Sequence, residues 1–348
     1  MAVAGQRVSI FDVAKRASVG VGTVSRVLNG REGVSVATRK RVLAAIDALG
    51  YHPSRLASGL SRGRSDAVAV VVPFITSPSV VVRLEGILEV LDNVGLNTVL
   101  YSVGNRQQRD RHLGVLGDRH EAAGVIVVSI RLSRQHVERF SAVGTPLVLV
   151  DTRVAGVPSI EVDNREGGRM AASHLLGLGH RSFGFIGDID RKHLGFSSSS
   201  ERLEGFSARI AEAGIDPSRI AVRSGIHSAG EAAVLAASIL ELVEPPTAIF
   251  AASDTQASGV LSYLKSKGLT APRDLALIGF DGLEVSALLG ITTVAQPLFE
   301  SGVRGAQLLL QLLAGEVPDP GELVLPLRLL PRSTTVSGAS IEPVSRSP

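Results

Sequence analysis

The chain has 348 residues, 45% of them hydrophobic, enough for two or three globular units with real cores, and no cysteine, which excludes disulfides, thiol nucleophiles and cysteine metal sites. No run of about 20 apolar residues could span a bilayer and no basic-then-apolar leader opens the chain, so the expectation is a cytoplasmic protein without a membrane partner. The net charge of +3 is uneven: residues 1–65 hold eleven Lys and Arg against Asp12, Glu32 and Asp47, a balance of +8 that leaves −5 for the rest.

In chain order, VSIFDVAKRASVGVGTVSRVLNG (8–30) reads as two short helices joined by a tight turn. Ser9 is placed to cap a helix beginning near Ile10, with Asp12 favourable in its first turn. Ile10, Val13, Ala14 and Ala17 fall on one face. After the turn at Ser18 to Gly20, a second helix carries Val24, Val27 and Leu28 inward and shows Val21, Gly22, Ser25 and Arg26 to solvent. That is the layout of a helix-turn-helix, whose second helix enters a DNA major groove. A third helix opens at Val34-Ser35, carries Arg39, Lys40 and Arg41 near its start, turns Val42, Ile46 and Leu49 inward and stops at Gly50. A basic head of this kind on an acidic body suits a polyanion-binding module joined to something else; a solvated basic surface fits the charge alone equally well.

Pro53 can start a short helix over Ser54 to Leu60; a flexible linker is the alternative reading of PSRLASGLSRGRS. From Asp66 apolar runs alternate with helical segments: AVAVVVPF, NTVLYSV, GVIVVS, PLVLVD, SIEVD, FGFIGD, RIAVRSG, TAIFAAS and LALIGFD as strands. Helices are expected at Val80–Val94, Gln107–Glu121, Asn164–Leu178, Glu201–Ala213, Ala229–Leu242 and Gln256–Lys267. This alternation implies parallel sheets with helices on both faces, and there are too many strands for one such sheet. Two similar subdomains with a ligand cleft between them are expected.

DVA, then A, then TVSRVLN, in this order and spacing, resembles the N-terminus of lactose-repressor-type (LacI/GalR) bacterial regulators. PSRLASGL resembles their hinge helix. Val162-Asp163-Asn164, HLLGLGHRSFGFIGD, SSSSERLEGF, AIFAASDTQASGVLSYLKSKGL, LIGFDG, ITTVAQPLFESGVRGAQLLLQLL and PRST extend the resemblance over about residues 8–336. The resemblance implies an N-terminal all-α helix-turn-helix head over 1–52, a hinge helix and linker over 53–65, and an α/β two-lobed, periplasmic-binding-protein-like (type I) effector and dimerisation domain with parallel sheets over 66–338. It places the N-subdomain at about 66–163 and 296–322, the C-subdomain at about 164–295 and 323–338, and a polar tail without heptads at 339–348.

It also implies roles. Val21, Gly22 and Arg26 would read bases: Arg26 by two bonds to guanine O6 and N7, Val21 against a thymine methyl, Gly22 with no side chain to offer. Leu60, with Ala57, would wedge into the minor groove at the operator centre, although Ser58 replaces a frequent Arg and Gly59 weakens the helix. Thr23, Ser25, Asn29, Ser35 and Thr38 would contact phosphates, or serve as caps and solvated hydroxyls. In the cleft Arg202 and Asp254 are the first effector candidates, an arginine fork and a carboxylate acceptor. The alternatives are a surface ion pair of Arg202 with Glu201 or Glu204, and Asp254 as cap of the following helix. Asp151, Gln296, Ser79, Ser129 and Ser198 could line the cleft and His227 could stack on a ligand. Relatives carry aromatics where this chain has TSPSVV, and an Asn where it has Ser253.

The expected function is a dimeric regulator, a repressor, that binds a pseudo-palindromic DNA operator and is controlled by a small metabolite, a sugar or sugar derivative. A nucleobase-type corepressor within the family is the alternative. A solute-binding protein would share the two lobes but has no use for a basic head. No GxxxxGK[ST], HExxH or GxSxG pattern occurs, so neither catalysis nor a cofactor is expected.

Overall fold

The computed structural model describes residues 8–28, 32–51, 67–118, 121–188 and 194–336. The chain divides into two compact units, 1–65 and 66–348. The first is built from α1 (Ile10–Ala17), α2 (Val21–Leu28) and α3 (Val36–Leu49). Val13, Ala14, Ala17, Val24, Val27, Val42, Ala45 and Tyr51 form its core, so the inward faces named from the sequence do meet. The expected hinge helix, including Ala57 and Leu60, lies outside the described residues, as does the polar tail.

The second unit carries two six-stranded sheets. Its elements run β1 (Ala67–Pro73), α4 (Pro78–Asn93), β2 (Asn97–Val103), α5 (Arg106–Asp118), β3 (Gly124–Val128), α6 (Arg134–Val143), β4 (Leu147–Val150), β5 (Ser159–Val162) and α7 (Asn164–Gly177). They continue through β6 (Phe183–Asp188), α8 (Ser198–Glu212), β7 (Ala221–Gly225), α9 (Ala229–Leu240), β8 (Ala248–Ala251), α10 (Asp254–Ser266) and β9 (Ala276–Asp281). The last are α11 (Glu284–Leu288), β10 (Thr292–Ala295), α12 (Leu298–Leu313), β11 (Glu322–Leu325) and β12 (Arg328–Leu330).

One sheet has the order β11-β5-β4-β3-β1-β2 and the other β12-β10-β9-β8-β6-β7. The two orders correspond position for position, which is the pair of similar lobes that strand and helix alternation implied. All pairings are parallel except β12 with β10. The central strands are apolar along their whole length because helices cover both faces: Val68, Val70 and Val72 face α4 and α12, while Ala69 and Val71 join the core under α5 and α6.

Beyond Asp281 the sequence reading names no element where the structure has α11, β10, α12, β11 and β12, and two further details differ. Strand β11 pairs with β5, so residues 322–325 complete the first sheet and the final crossing comes after Leu325 rather than at 322. Helix α6 occupies a stretch that the sequence reading crosses without an element; Ser133 caps it, and Phe140 is its buried residue. Glycines set the helix spacing within each lobe. A Cβ on Gly302 of α12 would collide with the Arg83 carbonyl of α4, and one on Gly205 of α8 with the Arg165 carbonyl of α7.

Candidate DNA-reading and effector sites

The head is held by local caps. The Ser9 hydroxyl accepts from the Asp12 amide at 3.4 Å, and the Asp12 carboxylate accepts from the Ser9 amide at 2.8 Å. These bonds with Ser9 hold the Asp12 carboxyl below its usual range. Ser18 adopts φ 52°, which lets the Val19 amide reach Ala14 O at 3.0 Å and turns the chain into α2.

On α2, Gly22 and Arg26 are exposed, and a Cβ at Gly22 would meet nothing within 4 Å. Val21, expected in solvent, is half-buried because, as the first residue of α2, it packs against the head core. Thr23 and Ser25 are half-buried on the same helix. The Ser35 hydroxyl caps α3 by accepting from the Thr38 amide at 3.3 Å, and it donates to Thr38 Oγ1 at 2.9 Å. Asn29 lies outside the described residues. Phe11 at 70% exposure is a large apolar side chain that the amphipathic pattern passed over.

In the second unit the site forms at the carboxyl ends of the strands, where open α/β sheets bind ligands. Four residues there hold non-glycine side chains at positive φ: Phe74 (43°), Ser129 (54°), Asp151 (59°) and Asp281 (119°). Each such backbone costs about 1–3 kcal/mol and persists only where surrounding structure imposes it.

A chain of polar contacts joins these ends. Ser129 Oγ donates to Asp151 Oδ2 at 2.6 Å, and Asp151 Oδ1 lies 3.1 Å from Arg83 Nη2. Arg83 Nη2 donates to Gln296 Oε1 at 3.1 Å, and Gln296 Nε2 donates to Asp281 Oδ1 at 2.7 Å. Arg202 Nη1 stands 3.9 Å from Asp281 Oδ1 and donates to Ala252 O at 2.6 Å; its Nε donates to Asn164 Oδ1 at 2.9 Å. Arg202 is 6% exposed, which corrects the alternative of a surface ion pair: burial opposes its charge and Asp281 supports it.

Asp254 is fully buried. Its Oδ2 accepts from the Gly282 and Leu283 amides at 2.8 Å each, clamping the turn between β9 and α11. The cap of α10 is Ser253, whose hydroxyl accepts from the Gln256 amide at 3.2 Å, so the alternative of Asp254 as that cap is also corrected. Burial and the neighbouring Asp281 push the Asp254 carboxyl up to about 7. His227 Nδ1 lies 3.0 Å from Asp188 Oδ1, and Gln256 Nε2 donates to the same oxygen at 2.8 Å. Burial disfavours the imidazolium, but Asp188 outweighs it and the His227 pKa rises. Ser79 is half-buried at the foot of α4, its carbonyl 3.5 Å from Arg83 Nη1.

Between the lobes lies a cavity of about 510 Å³ whose lining includes Ser129, Asp151, Asn164, Phe196, Ser198 and Glu201. The lobes meet beside it: Arg131 N donates to Leu194 O at 3.1 Å, and the rings of Phe74 and Phe196 are 5.9 Å apart. Among the described residues no group of three or more His, Asp or Glu side chains is placed to hold a metal ion.

Residues 9–54 match the model of the bacterial regulatory proteins of the lacI family, and residues 172–335 match that of a periplasmic binding protein-like domain. Catabolite control protein A of Priestia megaterium is 30% identical over 94% of this chain and 99% of its own length. The chain belongs to the LacI family. The transcriptional regulator CelR of Thermobifida fusca is 32% identical over 94% of this chain and 98% of its own length. The solved lac repressor dimer bound to operator and the anti-inducer ONPF is 28% identical, with a TM-score of 0.80 over 95% of this chain and all of that one. As a member of the LacI family, the protein is a DNA-binding transcriptional regulator controlled by a small molecule.

Ser129, Asp151 and Ser198 thus line the cavity, Arg202 and Gln296 lie buried behind its wall, and Asp254 holds the turn between β9 and α11. Sequence reading passed over Arg83, Asn164, Asp188, Gln256 and Asp281. One signal was available for Arg83: it is a lone charge among Val80, Leu84, Ile87 and Leu91, the inward face of α4.

Proposed function

We propose that the protein is a homodimeric cytoplasmic repressor that binds a pseudo-palindromic operator and is switched by a sugar in the interlobe cavity. The observation that carries the effector reading is the lining itself. Hydroxyls of Ser129 and Ser198, the amide of Asn164 and the carboxylate of Glu201 face a space of about 510 Å³, a mixture of donors and acceptors suited to a polyhydroxylated ligand. A nucleobase would want stacking surfaces, and Phe196 is the ring among the described lining residues. Solved relatives include a CelR–cellobiose complex and a family member with bound ribose, which supports the sugar class.

In this reading Gly22 and Arg26 meet the major groove, Ala57 and Leu60 act in the minor groove, and ligand binding shifts a two-state equilibrium in which the states differ in sugar affinity. A two-fold dimer requires a two-fold operator. Selection of bound sequences from random duplex DNA, with and without added mono- and disaccharides, tests the whole. A symmetric motif whose recovery changes with one sugar is expected. Sequence-blind binding that no sugar alters would overturn it.

A further inference from the structure

Arg83 is 3% exposed, on the face of α4 that packs against the first sheet. Its Nη2 is shared between Asp151 Oδ1 and Gln296 Oε1, each at 3.1 Å, and its Nε has no hydrogen-bond partner among the described residues. Asp151 follows β4 and Gln296 follows β10 at the crossover between lobes. Both are groups that a ligand reaching the hinge end of the cleft would use. Beside the guanidinium remains a void of about 10 Å³, room for a single water, bounded by Arg83, Asp151, Val162, Gln296 and Leu298. The cavity of about 510 Å³ shares Asp151, Glu161 and Val162 with that void but not Arg83 or Gln296, so Asp151 and its neighbours partition the two.

We infer that Arg83 is a built-in occupant of the hinge end of the cleft and sets ligand specificity: by engaging Asp151 and Gln296 it confines ligands to the outer cavity and selects a two-ring saccharide over a single ring. The inference rests on reading that cavity as the effector site. Two rings fill most of the outer space and reach both lobes, whereas one ring leaves much of it to water and lacks the hinge-end groups. Replacing the guanidinium by a thioether of similar length vacates the hinge end and frees Gln296. Because the same change strands the Asp151 carboxylate, a second variant removes that charge.

The test is calorimetric titration of D-glucose and of cellobiose into the purified full-length protein, into Arg83→Met and into the double variant Arg83→Met/Asp151→Asn. Glucose affinity is expected to rise at least about tenfold in both variants, the scale of a pocket gaining one fitted group, while cellobiose affinity in Arg83→Met, which leaves the outer lining intact, stays within about threefold. Equal glucose affinity in all three proteins, no detectable binding in any included, overturns the inference, as does a cellobiose affinity that falls in step with the glucose gain. Operator affinity measured with each sugar separates this from the effector reading. If glucose binding shifts as expected but neither sugar alters operator binding, Arg83 keeps its role and the cavity loses its regulatory one.

Discussion

The guanidinium carbon of Arg202 lies 3.6 Å above the centroid of the Phe280 ring. Stacked there, the plane aims its N–H groups at Asn164 Oδ1 and Ala252 O and brings Nη1 to 3.9 Å from Asp281 Oδ1. Arg202→Ala would leave Asp281 buried without this cation, an effect of about 3–5 kcal/mol. Urea unfolding of the full chain should show that loss. Arg202→Lys should recover only part of it, since an ammonium neither stacks flat nor donates as a fork. An Arg202→Ala protein within about 1 kcal/mol of wild type would contradict this, because a breach of this kind cannot be so cheap.

Asp254 makes stability depend on pH. Its carboxyl, at 3.8 when unperturbed, stands at about 7 in the folded protein, so the folded state holds a proton that the unfolded chain has released across that window. Stability from this group is therefore full below the lower value and declines as pH rises through the higher one. Asp254→Asn keeps an oxygen for the Gly282 and Leu283 amides and removes the titration. The variant is expected to gain on wild type progressively as pH rises from about 4 to 8, with no difference in acid. Unfolding curves at several pH values decide it; parallel profiles would refute the assignment.

Gly22 sits in an eight-residue helix with open space where a Cβ would go. Gly22→Ala should stabilise the head by about 0.5–1 kcal/mol through helix propensity, read as slower exchange of the α1 and α2 amides. If that face approaches DNA closely, the same change lowers operator affinity. Stabilisation with unaltered operator binding would move the contact surface elsewhere.

Arg26 is exposed on the same helix. Arg26→Ala should weaken binding to the selected operator by about 1–3 kcal/mol and nonspecific duplex much less, since base reading and phosphate neutralisation are separate contributions. Competition binding at fixed salt measures both. Equal losses would make Arg26 a phosphate contact.

By itself the sequence determined the local order of this protein. Caps at Ser9 and Ser35 and the stop at Gly50 place the head helices because each acts within a few residues of its own position. Strands buried on both faces are visible as unbroken apolar runs for the same reason. Helix α6 escaped notice because it is only ten residues long and Phe140 is its one buried residue. The resemblance singles out Arg202 but not the Phe280 ring on which it stacks. What only the tertiary structure decided is who holds whom: Arg83 reaches Gln296 across 213 positions, Asp254 reaches Leu283 across 29, and β11 joins the first sheet rather than the second. Side-chain chemistry is written residue by residue, but a buried charge takes its role from the partners that folding brings within about 3 Å, and that distance is set by the packing of whole lobes.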